Sequence, residues 1–151
     1  AEDGIRDVAV TGVRRVLFRS IHYPGADGTF GRTDVTLIGP GNPLGLDRRD
    51  PSARDDVTTI NELNLPVGKP VIAYLSSKDV IHSFTLPQMR VKQDVIPGTV
   101  QPVWFTPIER GEWEIVCSQL CGLGHYRMRG FYRVQSESDF RTWFTAQLAT
   151  P

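Results

Sequence analysis

One short run holds most of the side chains able to do chemistry: Cys117-Ser118-Gln119-Leu120-Cys121-Gly122-Leu123-Gly124-His125-Tyr126-Arg127-Met128. It contains two thiols, an imidazole and a thioether, with glycines that let the chain turn tightly. A second imidazole, His82, stands 35 residues before Cys117 in the strand-like run Val80-Ile81-His82-Ser83-Phe84. Thiolate, thioether and imidazole together select copper, and methionine is a characteristic weak axial ligand of electron-transfer copper. Zinc uses Cys and His but has little use for Met. One Cys, two His and one Met would make a mononuclear copper site. A second Cys four residues on allows more, because two thiolates can bridge two copper ions, each capped by one His and one weak axial group. Such a pair shares one electron between two metals and keeps its geometry nearly fixed on redox change, which suits a fast relay. Two plainer readings stand beside this one: a structural Cys117–Cys121 disulfide, and zinc held by the cysteines with His82 and His125. His125 as a surface loop residue and Met128 as a core filler are each ordinary on their own.

These groups need a rigid frame, and the rest of the sequence describes it. The 151 residues amount to about one domain. Lys and Arg total 17, Asp and Glu 17, so the formal charge is zero. No basic footprint for nucleic acid is present. Two cysteines are too few for a disulfide scaffold. No apolar run approaches the ~18–20 residues of a membrane-spanning helix. Short β-branched and aromatic runs at 71–76, 82–86, 100–106, 111–116 and 130–134, bounded by Gly, Pro or Asp, read as strands of an all-β sandwich or barrel. Val71, Ala73 and Leu75 share one face, Ile72 and Tyr74 the other, so both faces are at least partly covered. Residues 39–56 form a long Pro/Gly/Arg/Asp loop, either functional or packed on a partner. Its Asp/Arg run, 47–56, reads as solvated, and His22 reads as structural. Ser136 and Asp139 form a capping-box variant that opens one short C-terminal helix. Phe140, Trp143, Phe144 and Leu148 make that helix's apolar stripe.

The run 117–128 resembles the binuclear copper (CuA) loop of subunit II of cytochrome c oxidase, whose pattern is C-x-[EQ]-x-C-x-x-x-H-x-x-M. The distant histidine of that family sits in an S-x-D-V-x-H-S-F context, here Ser77-Lys78-Asp79-Val80-Ile81-His82-Ser83-Phe84. Pro87, Arg90-Val91-Lys92-Gln93-Asp94, Ile96-Pro97-Gly98 and Asn61-Glu62-Leu63-Asn64-Leu65-Pro66-Val67-Gly68-Lys69-Pro70-Val71 also match, so the resemblance covers roughly residues 21 to 148. It implies one cupredoxin-like domain over 1–151, a Greek-key β-barrel or sandwich. It implies Cys117 and Cys121 bridging two coppers, His82 and His125 terminating one each, Met128 weakly axial to one, and the Gln119 backbone carbonyl to the other. The domain would catalyse no bond chemistry itself. It would take electrons from cytochrome c and pass them to haem in subunit I of a haem-copper terminal oxidase. The family carries an N-terminal transmembrane hairpin before this domain, so Ala1 reads as a truncation point. The implied location is the periplasmic face of a bacterial inner membrane. Asp79, Glu109 and Glu112 are the candidate acids for cytochrome docking.

Two departures from the family matter. Most members have Glu where Gln119 stands, and its carboxylate reaches a magnesium or manganese ion at the contact with subunit I. A neutral amide is a weaker ligand for a hard cation, so that ion is expected to be weak, differently held or absent. The family's aromatic stretch with its electron-entry tryptophan is replaced by Val13-Arg14-Arg15-Val16-Leu17-Phe18-Arg19-Ser20-Ile21, which has no Trp. The peptide RRVLFRS is what a common sequencing-adapter oligonucleotide gives when translated in one frame, and 13–21 is suspected as a sequence artefact. A divergent strand and an adapted docking site are the other readings of it. Without Arg14, Arg15 and Arg19 the balance is 14 basic to 17 acidic residues, a net charge of −3. That would suit a basic cytochrome partner. Two alternatives to the oxidase are a nitrous oxide reductase-like CuA domain and a copper- or zinc-binding protein without electron transfer.

Overall fold

The structure is a computed structural model and describes residues 6–13, 18–123, 125 and 128–148. Two five-stranded sheets face each other. The first holds, in order, β3 (Val57–Ile60), β2 (Phe18–Tyr23), β1 (Arg6–Val13), β5 (Val71–Ser77) and β8 (Gln101–Phe105). The second holds β4 (Glu62–Pro66), β10 (Arg129–Gln135), β9 (Gly111–Cys117), β6 (His82–Leu86) and β7 (Val91–Val95). β1 pairs with β5 in parallel, as does β4 with β10, and the other pairs are antiparallel. The chain changes sheet after β3, β4, β5, β7 and β8, which makes the expected Greek-key sandwich.

The core lies between the sheets. Val71, Ala73 and Leu75 are fully buried, while Ile72, Tyr74 and Ser76 are half-buried, as the alternation along β5 requires. Leu63, Leu65, Phe84, Leu86, Ile115, Tyr132 and Val134 complete that core from the other sheet. The helix α1 (Glu137–Leu148) opens with the Ser136 hydroxyl accepting from the Asp139 N–H at 3.1 Å and donating to the Asp139 carboxylate at 2.6 Å. Phe140 is buried, and Trp143 and Phe144 set their rings edge-on to Tyr23 at 5.4 and 6.2 Å. Leu148 is exposed, so the apolar stripe ends a turn sooner than expected.

Five strands carry no clear periodic signal in the sequence. β7 is an edge strand that buries only Val91 and Val95 and shows Lys92 and Asp94 to solvent, which hides its alternation and discourages pairing with another chain. β3 and β4 are separated only by Asn61, whose positive φ of 60° turns the chain from one sheet to the other.

The long loop is not a plain solvated segment. It has its own apolar cluster of Leu44, Leu46 and Ala53 and a single 3-10 turn, Pro51–Ala53; another, Val35–Leu37, precedes it. Within the run 47–56, Asp47 and Asp56 are buried. The reason is local hydrogen bonding. Asp47 accepts from the guanidinium groups of Arg32 and Arg49 at 2.6 and 3.0 Å. Asp56 accepts from His22 Nε2 at 2.5 Å and from the N–H groups of Gly31 and Gly25 at 2.7 and 3.1 Å. His22 is therefore a structural side chain that fastens this loop to β2.

Four strand ends converge at one end of the sandwich: Ser77 closing β5, His82 opening β6, Cys117 closing β9 and Arg129 opening β10. Phe84 lies opposite Cys117 in the β6–β9 register, which places His82 and Cys117 at the same edge. Of the stretch 13–21, residues 14–17 lie outside the described residues. Val13 pairs with Phe18 in a hairpin that reaches the same end, since Gly12 pairs with Ser77. Among the described residues, no helix is long and apolar enough to cross a membrane.

Candidate metal centre

The six groups named from residue type and from the family resemblance meet at that end. The loop after β9 is folded back by two turns, in which the His125 N–H bonds to the Gly122 carbonyl and the Met128 N–H to the His125 carbonyl, both at 3.0 Å. A hydrogen bond of 2.8 Å from the Ser118 hydroxyl to that of Thr85 ties the start of the loop to β6. Cys117 Sγ and Cys121 Sγ stand 3.8 Å apart, both buried and neither in a disulfide. That is well beyond the ~2.05 Å of a disulfide. It is short enough for both sulfurs to reach one ion at ordinary metal–thiolate lengths of about 2.3 Å.

Each sulfur has an imidazole and a weak donor beside it. A ring nitrogen of His82 lies within 4.8 Å of both sulfurs. His82 Nε2 is bonded to Asp79 Oδ1 at 2.8 Å, while its Nδ1 is buried and has no hydrogen-bond partner. On the other side, His125 Nδ1 is 3.4 Å from Cys121 Sγ. The Gln119 carbonyl oxygen lies 3.3 Å from Cys117 Sγ, and Met128 Sδ lies 3.6 Å from Cys121 Sγ. Buried polar atoms without partners are rare in native proteins. His82, Cys117 and Cys121 thus form a group able to hold a metal, with the buried His82 Nδ1 left outside the protein's own hydrogen bonds.

The electrostatics favour a thiolate. Burial pushes the Cys117 thiol up, but His82, the backbone at Ser83 and Gln119, and the neighbouring Cys121 outweigh it and bring the thiol down to about 6. His82 is held above the usual imidazole range by the Cys117 sulfur, which lies close to the ring but off hydrogen-bond geometry; burial opposes this and Asp79 reinforces it. The lowered Cys117 thiol is the group that gives up its proton to a metal most readily.

The candidate docking acids fare differently. Asp79 turns inward to His82, and its side chain is only 24% exposed. Glu112 stands five residues before Cys117 on β9, about 17 Å away at ~3.3 Å per residue, and it pairs with Arg133. Glu109, on the loop before β9, is at that same far end. Two apolar side chains beside the sulfurs are exposed, Leu120 at 81% and Leu123 at 93%. Trp104 and Trp113 are likewise remote. Trp113 is four residues before Cys117, and Trp104 pairs with Ile72, five residues before Ser77. The supports from Asp79, Ser118 and Thr85 carry no loud signal in the sequence. Only the spacing of Asp79, three residues before His82, points to one of them.

The family model for the cytochrome c oxidase subunit II periplasmic domain matches residues 48–133. An alternative cytochrome c oxidase subunit 2 of Bradyrhizobium diazoefficiens is 46% identical over 129 residues, 85% of this chain and 47% of that protein. A cytochrome c oxidase subunit 2 of Thermostichus vulcanus is 49% identical over 82 residues, 54% of this chain and 25% of that protein. The chain thus spans less than half the length of either sequence relative. The periplasmic domain of subunit II of cytochrome oxidase (CoxB) of Bradyrhizobium japonicum superposes with a TM-score of 0.67 at 29% identity, covering 94% of this chain and 92% of that one. A second structure, at TM-score 0.65 and 28% identity, covers 95% of this chain and 91% of that one; it is a mixed-disulfide intermediate between a thioredoxin-like protein and CoxB subunit II. The cupredoxin-like sandwich agrees with these relatives, and the chain belongs to the family of cytochrome c oxidase subunit II periplasmic domains.

Proposed function

We propose that this domain is the electron-entry module of a haem-copper terminal oxidase, holding a binuclear copper centre on its periplasmic face. The observation that carries the reading is the symmetry of the donor set. Two sulfurs 3.8 Å apart have two imidazoles beside them, His82 near both and His125 at Cys121, and each sulfur has one weak donor, a carbonyl on one side and a thioether on the other. A single tetrahedral zinc would use the cysteines and imidazoles and leave the carbonyl and thioether without purpose. Cys117 and Cys121 would bridge two ions, His82 and His125 would terminate one each, and the Gln119 carbonyl and Met128 would be the weak axial donors. When bound, such a pair supplies one-electron redox chemistry shared between two ions.

The remaining work belongs to the chain. β6 and β9 hold His82 and Cys117 on paired strands, so the ligands move little when charge changes. The buried sulfurs sit at the rim of the sandwich behind exposed Leu120 and Leu123, close enough to the surface for transfer yet shielded from water. In this reading the electron donor is a c-type cytochrome and the acceptor is haem in subunit I. The membrane is reached through N-terminal helices of the parent subunit. Gln119 uses its backbone for copper, so its amide is free but is a poor ligand for magnesium or manganese. Both thiols must be reduced before loading. A thioredoxin-like reductant suits that step, since a related subunit II was captured in a mixed disulfide with one.

Electron paramagnetic resonance of the copper-loaded domain tests the proposal. One unpaired electron shared over two coppers is expected, and Cys117→Ser should abolish it. A mononuclear signal, or a shared signal that survives the substitution, would refute the bridging assignment.

A further inference from the structure

We infer that Asp79 is a positioning residue for His82. The inference rests on the copper reading above. Asp79 Oδ1 lies 2.8 Å from His82 Nε2 and accepts from the Val80 N–H at 2.7 Å. The Ser77 hydroxyl donates to the Val80 carbonyl at 2.5 Å, which closes the turn between β5 and β6. The neighbouring cation does not compete for the carboxylate, because Lys78 Nζ donates to the Leu44 carbonyl at 2.6 Å. Asp79 is thus a fixed acceptor, held by its own turn and aimed at the ring.

The consequence for His82 follows from tautomer chemistry. A neutral imidazole has one N–H and one lone pair. Donating Nε2–H to Asp79 leaves the lone pair on Nδ1, the buried nitrogen with no partner. The same bond fixes the rotation of the ring, at a place where a ring nitrogen lies within 4.8 Å of both sulfurs. Partners of this kind raise ligand basicity, and their removal commonly lowers metal affinity 10–100-fold. The carboxylate also places a negative charge beside the centre, which favours its more oxidised state.

Three variants of the domain test this: Asp79→Ala, Asp79→Asn and, as a distant exposed acid, Glu112→Gln. Affinity is read by competitive titration with copper and separately with zinc. The reduction potential and hyperfine pattern are read on the copper-loaded protein. Asp79→Ala should lose about 10–100-fold in affinity for both metals and change its hyperfine splitting. Asp79→Asn keeps an acceptor oxygen, so it should recover most of the affinity while its potential rises. Glu112→Gln should match the wild type throughout. If Asp79→Ala fails to fold, the rise in potential of Asp79→Asn decides alone. Wild-type affinity, spectrum and potential in the Asp79 variants would overturn the proposal. So would a loss confined to salt-dependent reaction with a cytochrome, which would make Asp79 a docking acid. If the wild type binds zinc but shows no shared-electron copper signal, the copper reading fails. The zinc titrations then still decide the role of Asp79.

Discussion

Replacing Asp56 with alanine isolates what fastens the long loop to the sandwich. The Asp56 carboxylate is 4% exposed and takes three hydrogen bonds, from His22 Nε2, the Gly31 N–H and the Gly25 N–H. His22 is itself only 2% exposed, so water cannot readily replace the lost acceptor. Each stranded buried donor costs about 1–3 kcal/mol. The two glycine N–H groups can recover some solvent, so the total is roughly 3–5 kcal/mol, the range for breaking a buried pair. For a chain of this size about 1 kcal/mol moves the melting temperature by ~2–4 °C. Asp56→Ala should therefore melt about 6–20 °C below the wild type in calorimetry or circular dichroism. Asp56→Asn keeps one acceptor and should recover about half of that loss. The pH dependence has a definite sign. Burial lowers the His22 pKa, and its bond to Asp56 restores it only in part. The unfolded chain then binds more protons than the folded one below the ordinary histidine value of about 6.5. The stability that comes from a neutral His22 is present above that pH and fades as pH falls below it. Asp56→Ala melting within 2 °C of the wild type would refute the reasoning, because the buried cluster would then not be what holds the loop.

Other expectations follow from the centre and its frame. Metal uptake by the reduced apo-domain should weaken about tenfold per pH unit below about 6, where the Cys117 thiolate is protonated; a spectrophotometric copper titration between pH 4.5 and 7.5 reads this. Phe84→Ala should cost about 3–5 kcal/mol by chemical denaturation and also speed metal release, since Phe84 is buried and lies opposite Cys117 in the strand register. Gln119→Glu should leave the copper spectrum unchanged, because the group facing Cys117 is the backbone carbonyl. It should add affinity for manganese, measurable by the spin resonance of the free ion in the assembled oxidase.

The candidate donor set of this protein was legible in its sequence, and the physical reason is locality. Cys117, Gln119, Cys121, His125 and Met128 lie within one short loop, where spacing alone limits how their donor atoms can be arranged. β5 and α1 were readable because burial on one face imposes a period on the residues, as at Val71, Ala73 and Leu75. β7 was not, because an edge strand with Lys92 and Asp94 outward answers to solvent and not to the core. The roles of the carboxylates were also out of reach. Asp56, Asp79 and Glu112 are the same kind of group in a sequence. Only the fold decides that the first is buried under a loop, the second is turned onto His82, and the third is paired with Arg133 far from the sulfurs. Ligand identity depends on residue type and short spacing, which a sequence records. Which acid serves which ligand depends on strand register and on where a turn points its side chain. Those are settled only when distant segments such as β5, β6 and β9 meet at one end of the sandwich.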